Sequence, residues 1–132
     1  MLIVATYLDK SSIPNAGLGL FAKNEISRGT VVWQRTVATF KIIEREIAAT
    51  LPEQAQAFLR RYATLRPDGW NLACDNARFI NHAENSNLAY DHFGNVVALR
   101  KIAAGEEMTE NYTSLGEIEP ISDGDPELFH KP

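Results

Sequence analysis

The spacing of apolar positions along this chain changes twice. Residues 2–8 and residues 30–34 (Thr30-Val31-Val32-Trp33-Gln34) are short β-branched or aromatic runs that end near Gly, Pro, Asn or Ser. Such runs predict strands, because branched and aromatic side chains pack well on a pleated surface. Between them, Ser11-Ser12-Ile13-Pro14-Asn15-Ala16-Gly17-Leu18-Gly19 is dense in turn formers and predicts a loop. Gly19-Leu20-Phe21-Ala22 then resumes an extended pattern, and Ile26-Ser27-Arg28-Gly29 turns the chain into the next strand.

From residue 42 to residue 62 the period lengthens. Ile43, Ile47 and Leu51 recur every four residues, then Ala55, Phe58, Leu59 and Tyr62 every three or four, the pattern of one helix face. Thr50-Leu51-Pro52-Glu53 has the form of a capping box, with Thr50 as N-cap, Glu53 at the third helical position and Pro52 in the first turn. A break near Thr50 and a second helix after it are therefore expected. Arg66-Pro67-Asp68-Gly69 closes the region as a turn. Short runs then return at Phe79-Ile80 and over residues 95–102, with the polar stretch 81–87 between them and Phe93-Gly94-Asn95 as a hairpin turn. The pattern predicts a mainly β chain with one small helical insert, about 42–66, an α+β organisation. One folded unit over residues 1–114 and a polar tail over 115–132 are expected, with no internal repeats.

Composition narrows the class. A chain of 132 residues is long enough to bury roughly two-thirds of the surface its unfolded form exposes. The first residues are too short an apolar stretch for a membrane span and lack a basic secretory region, so no membrane association and an intracellular, cytoplasmic setting are expected. The single cysteine, Cys74, excludes an internal disulfide framework and a Cys-clustered zinc site, and reads as a small buried residue. Residues 1–114 carry twelve acids and twelve bases and residues 115–132 carry five acids and one lysine, so the tail accounts for the whole net charge of -4. A neutral body without a run of Lys and Arg argues against nucleic acid as the direct partner. An acidic tail reads first as solvated chain, and second as an electrostatic lure for a basic peptide.

Three phrases bear the chemistry: Gly17-Leu18-Gly19, then Arg78-Phe79-Ile80-Asn81-His82, then Gly105-Glu106-Glu107-Met108-Thr109-Glu110-Asn111-Tyr112. Taken singly each is weak. Paired glycines mark tight turns, a His beside an Asn is commonly a hydrogen-bonded structural pair, and Tyr112 alone reads as a strand aromatic. Taken together, in this order and at these distances, they resemble the SET-domain family, the catalytic fold of many protein-lysine methyltransferases. The flanking Leu20-Phe21-Ala22-Lys23, Asn85-Ser86-Asn87 and Ala98-Leu99-Arg100-Lys101-Ile102-Ala103-Ala104-Gly105 agree, and the likeness covers residues 2–114.

The resemblance implies a β-clip-like fold of short strands with a knotted C-terminal segment that brings residues 78–82 next to residues 109–112. It implies S-adenosyl-L-methionine as cofactor, bound by Gly17, Leu18, Gly19, Arg78, Phe79, Asn81, His82 and Tyr112, with Phe129 as the tail aromatic that closes the site. It implies that Tyr112 is the catalytic tyrosine and that the substrate is a lysine side-chain amine in a protein or peptide. The minimal size suggests a bacterial or viral stand-alone enzyme, and a second copy of the chain completing the cleft as a homodimer.

The pattern departs from the family at several positions. Ala83 and Glu84 stand where many SET enzymes have Ser and Cys after Asn-His, and Asn111 stands where the usual residue is Asp. Flanking zinc-binding cysteines are absent, and the aromatics available for the lysine channel are Tyr62, Trp70, Tyr90 and Phe93. Two alternatives follow. One is a catalytically inactive SET-fold protein-interaction module, and the other is a metal-dependent hydrolase built on Asp75, His82, Asp91 and His92, whose residue types suit a metal but whose spacing matches no metal motif.

Overall fold

The structure, a computed structural model, describes residues 1–112. The acidic tail and Phe129 lie outside the described residues. Two sheets make up the body. The larger has seven strands in the order β1 (Thr6–Lys10), β2 (Leu18–Ala22), β10 (Glu107–Glu110), β8 (Leu88–Tyr90), β9 (Val96–Ala98), β3 (Val31–Trp33), and β7 (Asn81–His82) joins β10 off this path. The smaller sheet, in the order β4 (Phe40–Ile43), β6 (Gly69–Ala73), β5 (Thr64–Arg66), belongs to the insert together with α1 (Arg45–Ala49) and α2 (Glu53–Tyr62).

The sequence expectation of a mainly β fold with a small helical insert holds, with local corrections. The apolar run at residues 2–8 is not one strand. Thr6–Lys10 pairs with β2 in the register Thr6↔Ala22 to Lys10↔Leu18, whereas Leu2 bridges Trp33 and Ile3 N donates to Val32 O at 3.0 Å. The two halves of one hydrophobic run thus serve opposite edges of the sheet. The insert is only partly helical, because Ile43 sits in β4 opposite Trp70 of β6. Its third strand arises from the Pro67-Asp68 turn, which joins Arg66 to Gly69 across β5 and β6. Gly69 has φ 126°, and a Cβ there would press against the Ile43 carbonyl, so only glycine closes this hairpin against β4.

The capping box does not form. Thr50 has helical angles (φ -87°, ψ -9°) and ends α1, its hydroxyl donating to Ile47 O at 2.7 Å, while Pro52 is the extended residue before α2. An N-cap needs extended backbone, which Thr50 lacks. Gln56 Nε2 closes the turn between the helices by donating to Leu51 O at 2.8 Å. Cys74 is exposed at the end of β6, not buried.

The core fills the space under the large sheet: Leu20, Ala22, Val32, Ile102 and Met108 have no exposed surface, and Trp33 is 2% exposed. β10, the last strand, lies in the interior of that sheet, antiparallel to β2 and parallel to β7 and β8. A buried amide holds it there. Asn87 donates from Nδ2 to Glu107 O at 2.8 Å and accepts from Thr109 N at 2.9 Å, so it completes the backbone of β10 where neighbouring strands are too short to do so. This interior placement brings residues 81–82 beside residues 109–110; the knot itself stays an expectation of the resemblance.

Candidate functional site

The parallel pairing Thr109↔Asn81 and Glu110↔His82 delivers the end of β10 to the segment 78–82. Tyr112 follows directly and is held twice. Its backbone N donates to His82 Nδ1 at 3.0 Å, which fixes Nδ1 as the acceptor and leaves the ring proton of a neutral imidazole on Nε2. Its hydroxyl donates to the Ile80 carbonyl in a short hydrogen bond. Tyr112 is 46% exposed as a residue, but that hydroxyl end is partly buried. Desolvation and then the nearby Glu110 carboxylate push the phenol up to about 12, against the opposing charge of Arg61. At neutral pH Tyr112 is therefore a neutral O–H donor.

The glycine turn meets the same segment from the other side. Asn81 Nδ2 donates to Leu18 O at 2.9 Å and to Glu107 Oε1 at 3.0 Å, and Glu107 also accepts from the Ser11 hydroxyl at 2.8 Å. A Cβ on Gly19 would collide with the Glu107 carboxylate and lie 3.3 Å from Asn81 Nδ2. Gly19 is thus required first by protein packing, since it makes room for the pair that joins the turn to β7 and β10. Gly17 differs: it has φ +76°, and a Cβ there would lie 3.4 Å from Arg61 Nη2, which itself donates to Ala16 O at 3.1 Å. Arg61 of α2 therefore spans from the glycine turn to the surroundings of Tyr112.

Tyr112 also lines a cavity of about 550 Å³ between the insert and the large sheet. Glu110, 6% exposed, contributes a buried carboxyl to its wall, alongside Tyr90, Tyr112 and Ile80. Burial raises the Glu110 carboxyl to about 7, and the Arg66 charge opposes that shift. Tyr90 is pushed well above the ordinary phenol range, first by burial and then by the Glu110 charge. Arg35, Arg60, Arg61, Arg66 and Arg78 line the same cavity.

Of the residues singled out from sequence, Gly17, Leu18, Gly19, Asn81, His82 and Tyr112 converge on one place. Arg78 and Phe79 stand to the side. Phe79 packs edge-on against Tyr62 at 5.5 Å, and the Arg78 guanidinium lies over the Phe79 ring at 4.7 Å and lines the cavity. Phe129 lies outside the described residues. Sequence reasoning did not single out Asn87, Glu107, Glu110 or Arg61. The signal for the two glutamates was an acid at a strand position flanked by Met108 and Thr109, where only a hydrogen-bonded or functional carboxylate is tolerated; Arg61 and Asn87 had no signal short of the fold. The hydrolase reading finds no support: Asp75 accepts from Leu2 N at 2.7 Å and Ala77 N at 3.1 Å, Asp91 caps the turn to Asn95, and among the described residues no three His, Cys, Asp or Glu side chains are grouped to hold a metal.

Comparison with known proteins agrees with this geometry. The SET-domain family model matches residues 17–113. A humanized mutant of the Chaetomium thermophilum Polycomb Repressive Complex 2 bound to the inhibitor GSK126 superposes with a TM-score of 0.61 at 25% identity, covering 83% of this chain and 15% of that one. The crystal structure of the Chaetomium thermophilum complex gives 0.62 at 24% identity over 95% of this chain and 16% of the other. The ctPRC2 complex in an autoinhibited conformation bound to S-adenosylmethionine gives 0.59 at 24% identity over 83% and 15%. The chain therefore spans about 15% of the length of these neighbours. No curated protein sequence matches it. A family model over most of the body, on a fold that joins a glycine turn, an Asn-His pair and a C-terminal tyrosine, identifies this chain as a member of the SET-domain family, whose members are generally protein-lysine methyltransferases.

Proposed function

We propose that this protein transfers a methyl group from S-adenosyl-L-methionine to a lysine side-chain amine of a protein substrate. The observation that carries the reading is the position of Tyr112, which is bonded to His82 next to Asn81 and also lines the cavity that Glu110 lines.

The residues present fit the amino-acid end of such a cofactor. At Gly17 the backbone is left-handed and bare of a Cβ, so a ligand can approach it closely. The Arg61 guanidinium beside it suits a carboxylate, and the Leu18 carbonyl with Asn81 Oδ1 suits an ammonium. Gly19 and Glu107 hold Asn81 in place for that role. When bound, the cofactor supplies a sulfonium methyl group.

The chain's own residues then supply positioning and electrostatics. A lysine amine is charged at neutral pH, with a reference value of about 10.4, and must reach the site with its lone pair free. Glu110 gives the cavity a carboxyl that titrates near neutrality, which suits a wall that receives an ammonium and releases an amine. The Tyr112 hydroxyl, neutral and tethered to the Ile80 carbonyl, presents its oxygen to polarised C–H bonds and orients the incoming nitrogen. His82 fixes the Tyr112 backbone and so the reach of its ring.

The test is radiolabelled methyl transfer to lysine peptides. The parent chain is expected to label them, and Tyr112→Phe to lower the rate by about 10²–10³, the usual cost of one transition-state hydrogen-bonding group. Unchanged labelling by Tyr112→Phe would remove Tyr112 from the reaction.

A further inference from the structure

The fold gathers charge that the sequence scatters. Residues 1–112 are balanced in sign, and their arginines are spread from Arg28 to Arg100. Five of those eight arginines line the one cavity beside Tyr112, against two acids, Asp68 and Glu110. They arrive from separate elements: Arg35 follows β3, Arg60 and Arg61 end α2, Arg66 ends β5 and Arg78 lies in the 3-10 turn Asn76–Phe79.

Charge also divides by depth. Glu110 is buried, whereas Arg35, Arg60 and Arg61 are exposed and Arg66 and Arg78 are half-buried. The interior thus offers a carboxyl and phenols, and the mouth offers guanidinium groups, of which the exposed Arg60 also pairs with Glu53 at 2.5 Å. Among the described residues Arg35, Arg61 and Arg78 have no carboxylate partner. Arg35 lies over the Phe40 ring at 4.4 Å, Arg61 reaches the Ala16 carbonyl, and Arg78 donates to Asp75 O at 3.3 Å. Arg78 Nε is buried with no hydrogen-bond partner among the described residues, a donor that an entering acceptor oxygen would satisfy.

We propose that the lysine accepted by this cavity lies in an acidic stretch of its protein, with aspartate or glutamate on both sides of it. The proposal rests on the methyl-transfer reading and names its substrate class. A lysine side chain enters toward Glu110 and Tyr112 while flanking carboxylates pair with the mouth arginines other than Arg61, which the cofactor takes, and the planar guanidinium fork matches carboxylate geometry. A cleft in which five arginines outnumber two acids also concentrates ligands of negative charge. A nucleic acid is the less fitting polyanion, because the arginines gather around a single cavity and form no stripe that could track a phosphate backbone.

The experiment measures binding and methyl transfer separately. Short capped peptides carry one central lysine flanked by Glu, by Gln or by Arg, and binding to the full chain is followed by fluorescence anisotropy at low salt and at about 0.3 M salt. The Glu-flanked peptide is expected to bind about tenfold more tightly than the Gln-flanked one and to lose that advantage at high salt. The paired variant Arg35→Glu, Arg60→Glu, at two exposed positions, is expected to abolish or invert the preference, with circular dichroism as the check on folding. Equal binding of all three peptides, binding of none, or tighter binding of a single-stranded oligonucleotide overturns the proposal. Methyl transfer to the Glu- and Arg-flanked peptides at equal rates overturns it too, and leaves the methyl-transfer reading intact. A binding preference for Glu flanks without any transfer supports it and removes the methyl-transfer reading instead.

Discussion

Glu110 sits in surroundings that its residue type does not prefer. A carboxyl on a strand interior, 6% exposed, with its ionisation raised to about 7 from an ordinary 4.5, favours the neutral form in the folded chain. The sign of its effect on stability follows. Below about pH 4.5 the group is protonated whether the chain is folded or not and its burial costs little. Between about 4.5 and 7 the unfolded chain ionises first, so stability falls as pH rises, and above 7 the full cost is present. The shift corresponds to about 3–4 kcal/mol. Glu110→Gln is therefore expected to stabilise the protein by about that amount at pH 8 and by almost nothing below pH 5, measured by urea unfolding across the range. A constant difference between variant and parent at every pH would show that Glu110 does not titrate as its burial requires. Tyr90, Tyr112 and Arg66 face the same carboxyl, and Arg66 already offsets part of the cost.

At the scale of elements, the site depends on β10 lying inside the sheet. On its parallel side β7 and β8, of two and three residues, cannot satisfy its backbone alone, and Asn87, 2% exposed, supplies what they leave open. Asn87→Ala strands the Thr109 N–H and the Glu107 carbonyl together, so a loss of about 2–4 kcal/mol is expected, read from the urea midpoint. A loss under about 0.5 kcal/mol, the size of an ordinary surface substitution, would mean that water replaces the amide freely. Element type was legible in the sequence where periodicity was local: β2, β3, α2 and the hairpin around Gly94 follow directly from the spacing of Leu20, Val32, Phe58 and Val96. The insert's sheet was not. Ile43 serves a helix period and a strand equally well, and only its pairing with Trp70 decides between them. Thr50 misled for a related reason, because its hydroxyl bonds backward to Ile47 and ends a helix where the motif suggested the start of one.

At the scale of the whole molecule, the three sequence phrases end within hydrogen-bonding reach of one another, through Leu18–Asn81 and His82–Tyr112. That convergence was legible only through the family resemblance, because no local rule connects a turn at Gly17 to a strand at Thr109. The cavity and its arginine mouth were legible in neither. A count of charges gives a neutral body, and the asymmetry exists only after α2, β5 and the 3-10 turn close around Tyr112. The central claim is that this arrangement holds S-adenosyl-L-methionine beside Tyr112, and calorimetric titration of the chain with that cofactor tests it most directly, with Asn81→Ala alongside. Saturable binding by the parent, weakened at least about tenfold in Asn81→Ala through loss of a polar contact, is the predicted result. Absence of heat at millimolar cofactor, or equal affinity in the variant, would contradict it.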